Sequence, residues 1–158
     1  MKYVILTLLV VNSFSINGQE VTDHSQILKE FYFDLYADNI TPEEIVSEYI
    51  LYSDASQYKK AIDMVLDFRN LAIEENEHFG LLKKDIKENN FSISAYSYFD
   101  ESDKVKFTEV AKEKRNNIYK VTLKNTIPQY VLLENNKIVS FFGFQKAGSN
   151  EYYFVGFQ

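Results

Sequence analysis

Two apolar runs joined by paired asparagines, Gln129–Leu133 and Lys137–Phe144 across Glu134-Asn135-Asn136, constrain this chain more than any other stretch. Asparagine tolerates the positive φ that a two-residue hairpin turn demands at both central positions, so the two runs read as antiparallel strands with Asn135 and Asn136 as the loop. In that register Glu134 faces Lys137, Leu133 faces Ile138 and Leu132 faces Val139, which sets opposite charges across from each other beside the turn. Alternation then puts Tyr130, Leu132, Val139 and Phe141 on one face and Val131, Leu133, Ile138, Phe142 and Phe144 on the other. Both faces are apolar, so the sheet needs cover on two sides. Lys146 to Asn150 reads as a loop, and Glu151 to Phe157 returns as a third strand; Gly143 and Gly156 mark places for a bulge or bend.

Upstream, the periodicity changes to that of helices. Thr22-Asp23 opens a segment in which Ile27, Leu28, Phe31, Tyr32 and Leu35 recur at three- and four-residue spacing. Thr41-Pro42-Glu43-Glu44 is a capping box with proline at the first helical position, followed by the apolar stripe Ile45, Val46, Tyr49 and Ile50. Asp54 and Gln57 repeat the start signal ahead of a third helix, with Tyr58, Ala61, Ile62, Val65, Phe68 and Ala72 along one stripe, expected to run to about Glu77. Gly80 interrupts the pattern, and Leu81 to Ile86 reads as a short helix or a loop closure. Phe91 to Ala95 alternates as a strand whose farthest limit is Phe99. Asp100 to Asp103 reads as a turn, Val105 to Val110 is open between strand and short helix, and Ile118 to Leu123 is a half-exposed strand. Helices first and antiparallel strands afterwards is the order of an α+β domain: N-terminal helices packed on a curved antiparallel sheet of about four to five strands that ends in a β-meander.

The chain opens with Lys2, an apolar run from Val4 to Val11 and a polar stretch containing Gly18, the order of a secretory signal peptide over residues 1–18 with cleavage near Gly18-Gln19. Ile16, three residues before that cut, is larger than the usual small residue. The apolar run is far shorter than the ~20 residues that span a bilayer. Residues 19–158 then form a single α+β domain, exported to the periplasm or the extracellular space. The abundance of Phe, Tyr, Ile, Asn and Lys is the usage of an AT-rich bacterial genome. With no cysteine, neither a disulfide framework nor a thiol nucleophile is available, and stability rests on the core.

The pattern resembles the NTF2-like (cystatin-like, SnoaL-type) α+β cone superfamily. The resemblance rests on the aromatic first helix Phe31-Tyr32-Phe33-Asp34-Leu35-Tyr36, the later helices and the meander from Tyr130 to Phe157. It implies a curved sheet wrapping the helices around an apolar pocket, used by some members for catalysis and by others for binding or assembly. No catalytic acid or base of the family's enzymes matches a position here.

The residues themselves exclude several chemistries. A net charge of −6 argues against phosphate-backbone binding. The densest basic group, Lys112, Lys114, Arg115 and Lys120, is interleaved with Glu113 and follows Glu109, so it reads as a solvated surface. Glu75-Asn76-Glu77-His78 places a carboxylate and an imidazole at Glu-x-x-His spacing, but there is no second copy, and the chain has only two histidines. His78 is therefore read as a cation near a helix C-terminus, with no metal or other cofactor expected. No Gly-x-Ser-x-Gly elbow or phosphate-cradling glycine loop is present. Asn39-Ile40-Thr41 and Asn90-Phe91-Ser92 match a glycosylation acceptor pattern that matters only in a eukaryotic secretory host.

The one unusual property is an aromatic content of 16% without any tryptophan. Tyr32, Tyr36, Tyr96, Tyr98 and Tyr130 are the candidate lining of an apolar pocket that keeps hydroxyls for orientation. The expectation is a small exported, non-enzymatic domain that binds a ligand or a protein through an aromatic pocket or sheet face. Its partners are an unidentified small molecule or protein, a homodimer included, with no nucleic acid and no stable membrane insertion. The rival expectations are an NTF2-like enzyme using a buried carboxylate as acid or base and a structural envelope-associated protein.

Overall fold

A computed structural model describes residues 23–72 and 77–157. The leader expectation, and Glu75 of the Glu-x-x-His pair, lie outside the described residues. No helix among the described residues is long and apolar enough to cross a membrane.

The helices begin where their caps dictate. Helix α1 spans His24–Leu35, with the Asp23 carboxylate accepting from the Ser25 backbone N–H at 3.0 Å. Helix α2 spans Pro42–Tyr49 and closes the capping box: the Glu44 N–H donates to the Thr41 hydroxyl at 3.2 Å and the Thr41 N–H to the Glu44 carboxylate at 2.7 Å. Helix α3 spans Ala55–Leu71, with Asp54 accepting from the N–H groups of Ser56 and Gln57 at 2.7 and 3.0 Å. Near its end Arg69 reaches across to α1, donating to the carbonyls of Asp34, Leu35 and Ala37 at 3.1, 2.7 and 3.2 Å. These carbonyls lie at or just past the end of α1, where that of Asp34 also accepts from the Ala37 N–H at 3.1 Å, so one guanidinium adds both hydrogen bonds and positive charge to the helix C-terminus.

Two expectations fail here for one reason. Helix α3 ends at Leu71 rather than near Glu77, and His78 opens a separate ten-residue helix α4, His78–Lys87. His78 thus sits at a helix N-terminus, where the dipole disfavours a cation, and burial also lowers its pKa below the usual imidazole value. Gly80 lies within the first turn of α4, so the break in apolar periodicity follows the start of a helix instead of the end of one.

Strand β1 is Phe91–Ala95; a 3-10 turn, Tyr96–Tyr98, stops it short of Phe99. The one-turn helix α5, Glu101–Lys104, follows, then a second 3-10 turn, Val105–Phe107, and the one-turn helix α6, Lys112–Arg115. Strands β2, Ile118–Leu123, β3, Gln129–Glu134, and β4, Lys137–Ser140, complete an antiparallel sheet in the order β1-β2-β3-β4. Strands β5, Phe142–Gln145, and β6, Tyr152–Val155, pair separately as a two-stranded antiparallel sheet.

The hairpin turn forms as its asparagines require, with φ of 52° at Asn135 and 61° at Asn136, and Glu134 opposes Lys137 as Leu133 opposes Ile138. The side chains choose other partners. Lys137 donates to the Ser47 and Glu48 carbonyls at the end of α2, while Glu134 pairs with Lys114 at 2.7 Å. The register then shifts between Leu132 and Leu133, so Leu132 opposes Ser140 and not Val139. Past Ser140 the strand breaks, and the Ser140 hydroxyl donates to the Phe142 carbonyl at 2.6 Å. Phe141 consequently leaves the Tyr130 face and enters the helix side, with ring centroids 5.1 Å from both Phe31 and Phe68 and 6.1 Å from Phe157.

The four-stranded sheet therefore separates two apolar clusters. Its helix-facing side, with Tyr119, Val121, Val131, Leu133 and Ile138, packs on α1 to α4. Its other side presents Ile118, Tyr130, Leu132 and Val139 to Phe99 and Phe107 from the 96–110 segment and to Tyr152 and Phe154 of β6. At the edge, Ile50 makes a parallel bridge to Ile138, and the Leu51 N–H donates to the Ile138 carbonyl at 2.9 Å, so the residues after α2 cover part of β4. The Ser53 N–H holds the Phe157 carbonyl at 3.1 Å, and the Phe157 ring is buried.

Candidate functional site

The break at Phe141 sets β5 against β3 with a cleft of about 500 Å³ between the start of β3, the first turn of α4 and the β5–β6 sheet. Its apolar lining comes from Phe79, Tyr130, Phe142 and Tyr152, with Ile127 and Phe144 at the rim. Those two rim side chains are 68% and 53% exposed, which places uncovered apolar surface at the mouth. Gly143 lets the two strands of the smaller sheet close: a Cβ there would lie 2.5 Å from the Tyr153 carbonyl oxygen and overlap the Tyr152 ring. Any side chain at 143 would push β6, and with it the Tyr152 wall, out of place.

Three polar side chains on one flank are tied together. His78 Nδ1 meets the Thr126 hydroxyl at 2.6 Å and its Nε2 meets the Gln129 side-chain amide nitrogen at 3.2 Å. An amide N–H donating to Nε2 makes that nitrogen the acceptor, so Nδ1 carries the proton of a neutral ring. Both nitrogens are committed, and Gln129 also donates to the Ile127 carbonyl at 3.4 Å. This holds the 126–129 turn on α4.

On the other flank a charged network supports Tyr130. Asp100 caps α5, accepting from the Asp103 N–H at 2.8 Å and from the Ser102 hydroxyl at 2.7 Å, and so fixes Asp103 over the sheet. Asp103 Oδ1 accepts from the Lys106 ammonium at 2.6 Å and from the Tyr130 hydroxyl at 2.5 Å, while Oδ2 accepts from Lys120. Lys106 also donates to the Tyr130 hydroxyl at 2.7 Å and stands 5.0 Å above its ring. Lys120 and Tyr130 are cross-strand partners on β2 and β3, so the sheet register itself brings them under Asp103. Burial pushes the Asp103 carboxyl up, but the hydrogen bonds from Lys106, Lys120 and Tyr130 together outweigh it and hold the pKa at about 2. For Tyr130 burial, reinforced by the Asp103 hydrogen bond and charge, pushes the phenol well above its ordinary value; burial does the same for Tyr152. Both remain neutral donors.

Of the five tyrosines expected to line a pocket, Tyr130 alone borders the cleft. Tyr96 packs with Phe99 and Phe107 behind it, in the same cluster as Tyr130. Tyr32 and Tyr36 are buried on the helix side, with hydroxyls that have no hydrogen-bond partner among the described residues, and Tyr98 is 83% exposed. Sequence reading missed Tyr152, Phe142, Lys106 and Asp103. The Asp103-x-x-Lys106 spacing was the available signal, since residues three apart share one side of a helical turn.

Fold and site together define an α+β domain with an aromatic cleft beside its main sheet. Compared with protein-family models, with curated proteins and with solved structures, the chain matches none.

Proposed function

We propose that this protein is an exported, non-enzymatic binder of a small apolar molecule, held against Tyr130, Tyr152 and Phe142. The observation that carries the reading is an aromatic cleft of about 500 Å³ with exposed apolar residues at its rim. Among the described lining residues none is Asp or Glu, and the ring nitrogens of His78 are both engaged, which supports binding over acid-base chemistry. The NTF2-like resemblance supports it by analogy, as helices laid on an antiparallel sheet beside an apolar pocket.

Nile red, an uncharged fluorophore, should bind saturably at one site. The double variant Ile127→Ser, Phe144→Ser, which alters only rim residues, should weaken that binding by about three- to tenfold and leave the melting temperature unchanged. Equal affinity in wild type and variant, or no saturable binding at all, would refute the cleft.

The export half of the reading is supported by Lys2, the Val4–Val11 run and Gly18. Produced as the whole chain in a Gram-negative host, the protein should be recovered from the periplasm with its first residue near Gln19 by mass spectrometry. A cytoplasmic product still carrying Met1 is the contrary result.

A further inference from the structure

The cleft has a polarity as well as a shape. Among its described lining residues, the side-chain functions able to meet a ligand are the Lys106 ammonium, the amides of Gln129 and Gln145, and the hydroxyls of Tyr130 and Tyr152. The amides are largely spent: Gln145 donates to the Ser149 carbonyl at 2.7 Å and Gln129 to His78 and Ile127. Lys106 is the one charged side chain among the described lining residues. Among the described residues, two of its three N–H donors serve Asp103 and Tyr130, which fix the ammonium in place, and the third is left for an acceptor. Neither Asp103 nor Asp100 is among the described residues that line the cleft, and the Asp103 carboxylate beside the Lys106 ammonium is shared with Lys120 and the Tyr130 hydroxyl. In a chain of net charge −6, the described lining of this cleft holds one ammonium and no carboxylate, and the network it belongs to sets two ammoniums, Lys106 and Lys120, on the one carboxylate of Asp103.

We infer that the cleft takes an aromatic or acyl carboxylate, with its apolar body against Tyr130, Tyr152 and Phe142 and its carboxylate on the Lys106 ammonium. This rests on the cleft-binding reading above and adds the charge of the ligand. Tyr130 and Tyr152 already pack edge to face with ring centroids 5.0 Å apart, so a flat ring lies against that pair rather than between its members, by the edge and offset contacts that aromatic groups favour. A carboxylate accepts a charge-assisted hydrogen bond from an ammonium whose geometry is set before binding, so little ordering of the lysine side chain opposes it.

The experiment uses naphthoate and naphthylmethanol, which share a ring system and differ in charge, titrated by calorimetry at neutral pH. Wild type should bind naphthoate about tenfold more tightly than the alcohol. Lys106→Gln should remove that preference and leave the alcohol's affinity within about twofold. Lys106→Arg should keep the preference, as should Lys120→Gln, which takes a cation from the same network but not from the cleft. Equal binding of the two probes by wild type, with Nile red still bound, would overturn the anion assignment and leave the cleft reading intact; failure of all three probes would overturn both. A preference that survives Lys106→Gln, or one lost in Lys120→Gln, would also refute the role of Lys106.

Discussion

Phe107→Ala should lower the free energy of unfolding by about 4 kcal/mol, seen as a fall in the urea midpoint at an unchanged m-value. Phe107 is fully buried, with ring centroids 5.0 Å from Tyr130 and 5.7 Å from Tyr152, and it stacks on Phe154 at 5.8 Å. It joins the 96–110 segment to β3 of the main sheet and β6 of the small one. The helix-side cluster does not contain it, so nothing from α1 to α4 can move in to fill the space. A loss of that size is a large share of the ~5–15 kcal/mol that holds a typical domain together. A loss below about 1 kcal/mol would mean that the second cluster is not packed as described.

Asp103→Ala should cost about 3 kcal/mol, because it leaves two ammonium groups and a buried phenol around a missing acceptor. The cost sits at the low end for a broken buried pair, since the side chains of Lys106 and Lys120 keep 27% and 21% of their exposure and hence part of their hydration. The same group makes stability depend on acid. Its pKa of about 2 in the folded chain lies below its ordinary value of 3.8, so the folded state releases the proton more readily than the unfolded state. Asp103 therefore contributes about 2 kcal/mol above about pH 4, and that contribution disappears as the pH falls from about 4 towards 2. Wild type and Asp103→Asn should differ clearly in urea midpoint at pH 6 and converge near pH 2. A gap that stays constant over that range would show that the carboxylate's charge is not what stabilises the network.

Much of the local structure was legible because its causes are local. Thr41-Pro42-Glu43-Glu44 and Asp54 start helices through hydrogen bonds to residues two or three positions away, and Asn135-Asn136 turns a hairpin through its own φ angles. Counting faces along β4 failed at Phe141, because alternation holds only until a register shift, and the shift between Leu132 and Leu133 has no glycine to announce it. His78 went to the wrong helix end because the stripe of α3 runs almost into that of α4. The charged network was invisible for a different reason. Asp103 takes its partners from Lys120 and Tyr130, 17 and 27 residues away, and only the β2–β3 register places those two side by side. The pocket tyrosines were chosen by residue type, which cannot separate Tyr32, sealed under helices, from Tyr152 at a cleft.

Phe157 lies against Phe141 in the helix-side cluster, and its carbonyl is held by Ser53, a residue made more than a hundred positions earlier. A ribosome releases the chain from its N-terminus, so α1 to α4 emerge while the residue that seals their shared face is still unmade. The nascent chain must carry that open apolar seam until Phe157 has been added. Completion of this fold is thereby tied to the synthesis of Phe157, and a product stalled or truncated before it would remain a substrate for chaperones and proteases.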